Sequence, residues 1–359
     1  MHDMDRLNPQ IIKTITFCII TFLFTGCSTL SYYSQSIQGQ FEVIDKSEPI
    51  IDLIQSDNLS AESREKLNTI LKLRAFSIKE LGLPDNDSYS SFADLGRDYV
   101  IWNIFANPEF SLEPVNWCYF IVGCLSYRGY FSKQDAESYE TELKNQGYDT
   151  YLGGVAAYST LGWFDDPVLN SMLRWNESYL AKVMFHELAH QQLYIKNDTD
   201  FNESYADAVA HIGVTKWLQK KTNKKYLREY QQEQKREKEF VDLINRYKSK
   251  LNTVYQSSLD DEMKRGKKKE LFGKMEIEYG HMIKNWEKDP YRKWISNGVN
   301  NAKLASVITY REYVPAFLEF YNKLDNNLVK FYSLTDSLTK CKPMKRMEIL
   351  KKRKIEFEC

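Results

Sequence analysis

The five residues His186-Glu187-Leu188-Ala189-His190 constrain this chain more than any other stretch. Residues four apart on an α-helix stand one above the other on the same face. The flanking Val183, Met184, Phe185, Leu188 and Ala189 are apolar, so the helix is predicted to be buried, where polar side chains need partners. Two neutral imidazoles one turn apart can grip one Zn2+. Glu187 then stands beside the metal, where it can take a proton from the attacking water. The chain has only five histidines, which makes a chance occurrence of this pattern improbable. His211 and His281 are isolated in sequence.

Zinc hydrolases keep three protein ligands and one open position, so a third ligand must come from elsewhere. The expected residue is Glu203, in Asn202-Glu203-Ser204-Tyr205-Ala206-Asp207, thirteen residues after His190. The intervening segment contains Lys196-Asn197-Asp198, a turn-forming run that can bring a second helix back against the first. Glu203 has a competing use as a helix N-cap partner of Asp200. Asp207 lies four residues beyond Glu203 on the same face, where its carboxylate can accept the second ring N–H of a zinc-binding histidine. His211, one turn further, is expected to be structural.

Lys+Arg and Asp+Glu both number 49. This balance excludes the excess of basic charge typical of a nucleic-acid binder. Hydrophobic residues at 43% provide for a sizeable core, and 27% charged residues exclude a polytopic membrane protein. At the N-terminus, Arg6 and Lys13 precede an apolar run, 15–24 (ITFCIITFLF), too short to span a bilayer comfortably. Thr25-Gly26-Cys27-Ser28 follows and resembles a bacterial lipoprotein processing site, with Cys27 as the lipidated first residue. A plain membrane anchor, or a leader cleaved elsewhere, is the alternative. By the same resemblance, Ser28 rather than Asp after the cysteine favours the outer membrane. Export implies an oxidising compartment. Cys118, Cys124, Cys341 and Cys359 allow three pairings. A Cys118–Cys124 bond would need a turn, which Gly123 could supply.

Length alone suggests about two domains. The pattern along the chain divides it into a leader (1–26), one domain (27–335) carrying a charged helical insertion (220–290), and a basic tail (336–359). Residues 28–58 read as a tether and a helix with apolar Ile37, Phe41, Ile44, Ile51 and Ile54, broken near Pro49. Residues 60–82 read as a helix with Ser60 as N-cap. Residues 99–105 and 118–125 read as strands, 132–146 as a helix, 148–160 as a third strand and 166–175 as a short helix. Helices are predicted over 177–196, 201–220, much of 220–288 and 300–338. In the charged stretch, Phe240, Leu243, Ile244, Tyr247, Leu251 and Tyr255 recur at helical spacing along one face. The basic residues of 342–354 read as a solvated tail.

The H-E-x-x-H with the downstream N-E-x-x-A-D resembles the gluzincin class of zinc metallopeptidases. Further segments resemble a bacterial lipoprotein family described as "putative aminopeptidase": Glu80-Leu-Gly-Leu-Pro-Asp-Asn86, Tyr99-Val-Ile-Trp-Asn103, Tyr127-Arg-Gly-Tyr-Phe131, Tyr158-Ser-Thr-Leu-Gly-Trp-Phe-Asp-Asp-Pro167, Met172-Leu-Arg-Trp175, Asn300-Asn-Ala-Lys-Leu-Ala305 and Val314-Pro-Ala-Phe317. The resemblance covers roughly residues 25–335. It implies a zincin-like core, and a sheet-edge strand that pairs with an extended peptide. Gly153, Gly154, Val155, Ala156 and Tyr158 fall on that strand. Gluzincin aminopeptidases carry a G-x-M-E-N motif there, whose glutamate binds the substrate's α-amine; this chain has no acid at that place, and Asp165 or Asp166 would have to substitute. Such sites also take an oxyanion donor from downstream helices, for which Tyr310 and His281 are the candidates.

The expectation is therefore an α+β, predominantly helical protein acting as a zinc-dependent peptidase of the cell envelope, with aminopeptidase as the expected activity. One Zn2+ per chain, a peptide substrate and a membrane contact through Cys27 are implied, and no nucleic acid. A zinc endopeptidase, or a non-catalytic lipid-anchored protein with a structural zinc, are the alternatives.

Overall fold

The computed structural model describes residues 32–359 apart from 58, 120–122, 161–163 and 308–311. The leader, Cys27 and Tyr310 therefore lie outside the described residues. In chain order the first elements are α1 (32–45), β1 (Ser47–Pro49), α2 (Ile50–Leu53), α3 (Ala61–Leu81), β2 (Ser91–Ala93) and β3 (Ile101–Asn107). Then come β4 (Trp117–Tyr119), β5 (Gly123–Leu125), β6 (Arg128–Tyr130), α4 (Lys133–Asn145), β7 (Asp149–Val155) and β8 (Val168–Leu169). The remainder is helical: α5 (Glu177–Gln192), α6 (Thr199–Gln219), α7 (Lys225–Tyr255), α8 (Asp261–Met282), α9 (Arg292–Ser296), α10 (Asn301–Ser306), α11 (Val314–Lys323), α12 (Leu328–Thr339) and α13 (Pro343–Lys352). The protein is thus α+β and predominantly helical. None of the described helices is long and apolar enough to cross a membrane.

Local chemistry sets many of these boundaries. The Ser60 hydroxyl accepts the Ser63 N–H at the start of α3, and Ser132 caps α4 through the Asp135 N–H. β3 is the centre of an antiparallel sheet of order β6-β3-β7, with Trp102 opposite Tyr130 and Asn103 opposite Gly153. A second sheet, β1-β2-β8, combines an antiparallel and a parallel pair.

The largest core joins α3, α5, α6, α11, α12 and α13 around Phe185, Phe201, Tyr205, Phe317 and Phe331, all at most 1% exposed. At its centre α5 and α6 pack closely. A side chain at Gly213 would sit 2.6 Å from the Phe185 ring and 2.7 Å from Leu81, so only glycine allows this approach. The charged stretch forms the α7–α8 hairpin. Its predicted apolar face is buried against Phe272, Met275 and Tyr279.

Several expectations are corrected. The stretch 118–125 is not one strand: β4 and β5 fold back on each other, and Cys118 pairs with Cys124 across the hairpin. Cys341 pairs with Cys359. The third strand ends at Val155, so Ala156 and Tyr158 lie outside it. Side-chain partners draw the chain off the ladder there: Ser171 Oγ donates to the Ala156 carbonyl (2.5 Å), and the Tyr158 hydroxyl donates to Gln40 (2.6 Å). Of residues 166–175 only Asn170–Met172 is helical, a single 3-10 turn; Val168 and Leu169 pair with β2 as buried strand residues. The basic segment after 342 is not a solvated tail. It forms α13, and Arg346 is buried, with Nε on Asp198 (2.9 Å) and Nη1 on the Cys341 carbonyl (3.0 Å). The expected boundary at 336 falls inside α12.

Asp198 also caps α6, accepting the Phe201 N–H. Arg346→Ala would leave this carboxylate half-buried and unpaired, and is expected to destabilise the fold by about 3 kcal/mol. Urea unfolding measures it; a loss under about 1 kcal/mol would show that water replaces the guanidinium without cost.

Candidate metal centre

α5 begins on Asn176, whose side chain accepts the Tyr179 N–H, and presents Lys182, His186 and His190 one turn apart on one face. The chain then reverses within six residues and enters α6. Asn202 makes this reversal tight: its side chain accepts from the Ile195 N–H and donates to the Ile195 carbonyl, both at 2.8 Å. At the far end Trp217 Nε1 donates to Glu177 (2.6 Å). Two helices pinned at both ends hold the face bearing Glu203 and Asp207 against the histidines. Asp198, rather than Asp200, is the cap, so the competing capping role for Glu203 is not used.

The ligand atoms of His186, His190 and Glu203 lie within 4.8 Å of one another, and this is the one group of its kind among the described residues. The two Nε2 atoms face each other at 3.0 Å. Glu203 places one oxygen 3.3 Å from His186 Nε2 and the other 3.5 Å from His190 Nε2. His186 Nδ1 donates to Asp207 Oδ1 (3.1 Å). His190 Nδ1 is buried with no hydrogen-bond partner among the described residues.

The electrostatics follow from this crowding. Burial disfavours charge on His186, but its bonds to Asp207 and Glu203 outweigh burial and raise its pKa to about 10. Burial likewise pushes the Glu203 carboxyl up, while the two imidazoles bring it down to about 2. Two imidazole nitrogens pointed at one another across a carboxylate form a donor set that suits a cation. Two histidines and a glutamate are also a known ligand set of catalytic zinc. The residues present fit the ion.

His186, Glu203 and Asp207 open into a cavity of about 530 Å3. Its walls include Gly153, Gly154 and Val155 of β7, Asn103 and Phe105 of β3, and Glu237, Phe240 and Val241 of α7. Lys182 pairs with Glu237 at 3.1 Å and ties α7 to the metal helix. The charged stretch 220–290 is thus a wall of this cleft. β7 is an edge strand: among the described residues, β3 is its only partner. Asn300 Nδ2 donates to the Thr150 carbonyl at 2.8 Å. Thr150 therefore points away from β3, and by antiparallel alternation Leu152 and Gly154 point the same way.

Of the sequence-predicted residues, the fold brings together His186, Glu187, His190, Glu203, Asp207, Gly153, Gly154 and Val155. Glu187 is half-buried beside His186 on α5. His211 does not join the ligands; it meets the Tyr230 hydroxyl at 3.2 Å. His281 is exposed in the last turn of α8 and does not line the cleft. Asp165 is exposed, and Asp166 is engaged by Ser159 and Thr160. Sequence reasoning passed over three phenols near the centre. Burial, then the charges of Glu203 and Glu187, push Tyr127 up to about 12. Burial, then Glu187 and Asp166, raise Tyr89 as well, and Tyr194 lies 6.2 Å from the His190 ring. Tyr89 and Tyr127 stand far from the motif along the chain, whereas Tyr194 follows His190 by four residues, just past the end of α5.

The chain matches the family described as "putative aminopeptidase" over residues 31–350 and belongs to it. The family description makes the protein a peptidase and a peptide its substrate. Comparison with curated proteins and with solved structures finds no match.

Asp207→Asn is expected to weaken zinc retention by roughly 10- to 100-fold, because His186 loses the charged group that orients it. Glu203→Ala is expected to weaken it further by removing a ligand. Equilibrium dialysis with zinc measures both; wild-type retention in Glu203→Ala would exclude this residue as a ligand.

Proposed function

We propose that this protein is a zinc-dependent aminopeptidase of the cell envelope, anchored through a lipid on Cys27 and facing the periplasm from the outer membrane. The observation that carries the catalytic part is the convergence of the ligand atoms of His186, His190 and Glu203, with Glu187 next to His186 on α5, and with His186 and Glu203 lining the same cleft as the edge strand β7.

His186, His190 and Glu203 would hold the ion, and Asp207 would fix the ring orientation of His186 through Nδ1. Zinc, when bound, supplies Lewis acidity towards the scissile carbonyl and lowers the pKa of water. The outward main-chain groups of Leu152 and Gly154 would pair with an extended peptide, holding its backbone without reading its side chains. Glu187 would take the proton of the attacking water and pass it to the leaving amine. The three clustered ligands favour this reading over a structural zinc, whose fourth position is filled by protein.

A second reading, a zinc endopeptidase, draws on one specific feature. Residues 150–155 of the edge strand carry no acid, Asp149 at its start is engaged by Lys268 and the Asn301 N–H, and Asp166 is occupied by the 159–160 turn, so none of these supplies a carboxylate for a free α-amine.

Glu187→Gln is expected to retain zinc and lose at least about 100-fold in turnover. Free-amine and N-acetylated peptides, assayed with and without a chelator, test the rest. Cleavage of free-amine peptides alone, abolished by the chelator and restored by zinc, supports the aminopeptidase. Equal cleavage of acetylated peptides favours the endopeptidase. Full activity in Glu187→Gln would overturn the assignment of the base.

A further inference from the structure

α1 packs with its apolar stripe outward. The face it turns to the protein is built from small and polar residues. Gly39 lies so close to Phe131 that a side chain there would fall 2.0 Å from the ring, and Val43 is fully buried beside it. Gln35 accepts the Phe131 N–H (2.9 Å), Gln40 accepts the Tyr158 hydroxyl (2.6 Å), and both oxygens of Glu42 receive Arg97 Nη1 (3.0 and 2.8 Å). Tyr33, Ile37, Phe41 and Ile44 are left in solvent, Ile37 at 55% and Phe41 at 65% exposure. These four recur at i, i+4, i+8 and i+11, one continuous stripe about 16 Å long. Ile51 on α2 is exposed as well. Rotating α1 to bury the stripe would break the Arg97–Glu42 pair and drive a side chain into the Phe131 ring. The inward face is therefore locked, and the outward face needs another apolar partner.

The position of the stripe identifies that partner. α1 starts five residues after Cys27, a distance of at most about 17 Å even when fully extended. A lipid on Cys27 would hold the first turn of α1 within that reach of the bilayer.

We propose that the Tyr33–Ile37–Phe41–Ile44 face of α1 lies on the lipid surface beside Cys27, as an amphipathic helix in the plane of the membrane. This rests on the lipid-anchor part of the proposed function. The contact would also orient the cleft. Tyr158, hydrogen-bonded to Gln40, lies three residues beyond the end of β7, so α1 links the membrane plane to the edge strand.

The test uses the chain from Cys27 onward, which contains every described residue and whose other four cysteines are disulfide-bonded. Cys27 is coupled to a maleimide phospholipid in phosphatidylethanolamine/phosphatidylglycerol vesicles. Phe41→Trp is compared with Val329→Trp, a position 78% exposed on α12. The expected result is a blue-shifted added emission in Phe41→Trp, quenched roughly twofold or more by acyl-brominated lipid, and none in Val329→Trp. Emission from Phe41→Trp that stays water-like and unquenched would overturn the proposal. So would a dimer of the uncoupled chain that Phe41→Ser dissociates while quenching is absent, since the face would then join two copies. Separately, the mass of the N-terminal peptide from the full chain expressed in an envelope reads the anchor itself. An unmodified Cys27 would overturn the anchored form of the proposal even where quenching holds, so the two failures are told apart.

Discussion

Two carboxylates, Glu203 and Asp207, are drawn in between α5 and α6 against two imidazoles whose Nε2 atoms stand 3.0 Å apart. Charge taken out of water without compensation costs several kcal/mol per group. The arrangement persists because each group answers another. Asp207 takes His186 Nδ1, Glu203 spans both Nε2 atoms, and a divalent cation would complete the set. Much of the surrounding structure serves to keep these groups in register. Asn202 clasps the reversal at Ile195, Gly213 lets α6 approach Phe185, and Glu177 holds Trp217 at the far end. Arg346 reaches in from α13, near the C-terminus, to the Asp198 carboxylate that starts the glutamate-bearing helix. A residue far along the chain thus supports the third ligand.

Around this pair of helices the rest of the chain builds a cleft. His186, Glu203 and Asp207 line it together with the β3–β7 sheet and α7. Asn300 and Asn301 anchor the entrance of β7: Asn300 binds the Thr150 carbonyl, and the Asn301 N–H binds Asp149 (2.9 Å). Lys268 of α8 closes on the same Asp149 at 2.7 Å. The first part of the strand is therefore occupied by protein, while the glycine-containing part beside the metal cluster lines the cavity. The Asn300–Ala305 segment behind the family resemblance has a mechanical role: it holds the edge strand beside the cluster.

The cluster was legible in the sequence because its spacing is local. An i, i+4 pair has one geometry on any helix, and the apolar flanks of 183–189 showed that this helix would be buried. Glu203 and Asp207 followed from a short turn and a second four-residue interval. The α7 face was equally readable, since all six of its apolar residues are buried as their periodicity required. Caps at Ser60 and Ser132 are also local chemistry, between groups three residues apart.

Other features depend on partners far away in sequence. The strand beginning at Asp149 stops at Val155 because Ser171 and Gln40 claim the next residues, and no pattern within 148–160 contains that information. The tail looked solvated because seven basic residues crowd 342–354, yet Arg346 finds Asp198 across 148 positions. Tyr127 came near Glu203 and Glu187 because it adjoins β6, which pairs with β3, and α1 turned its apolar stripe outward because Gly39 and Glu42 had nearer partners. Helical periodicity tells which residues share a face. It does not tell which face meets the protein, because that is settled by long-range contacts, whose energies belong to pairs of segments and not to either segment alone.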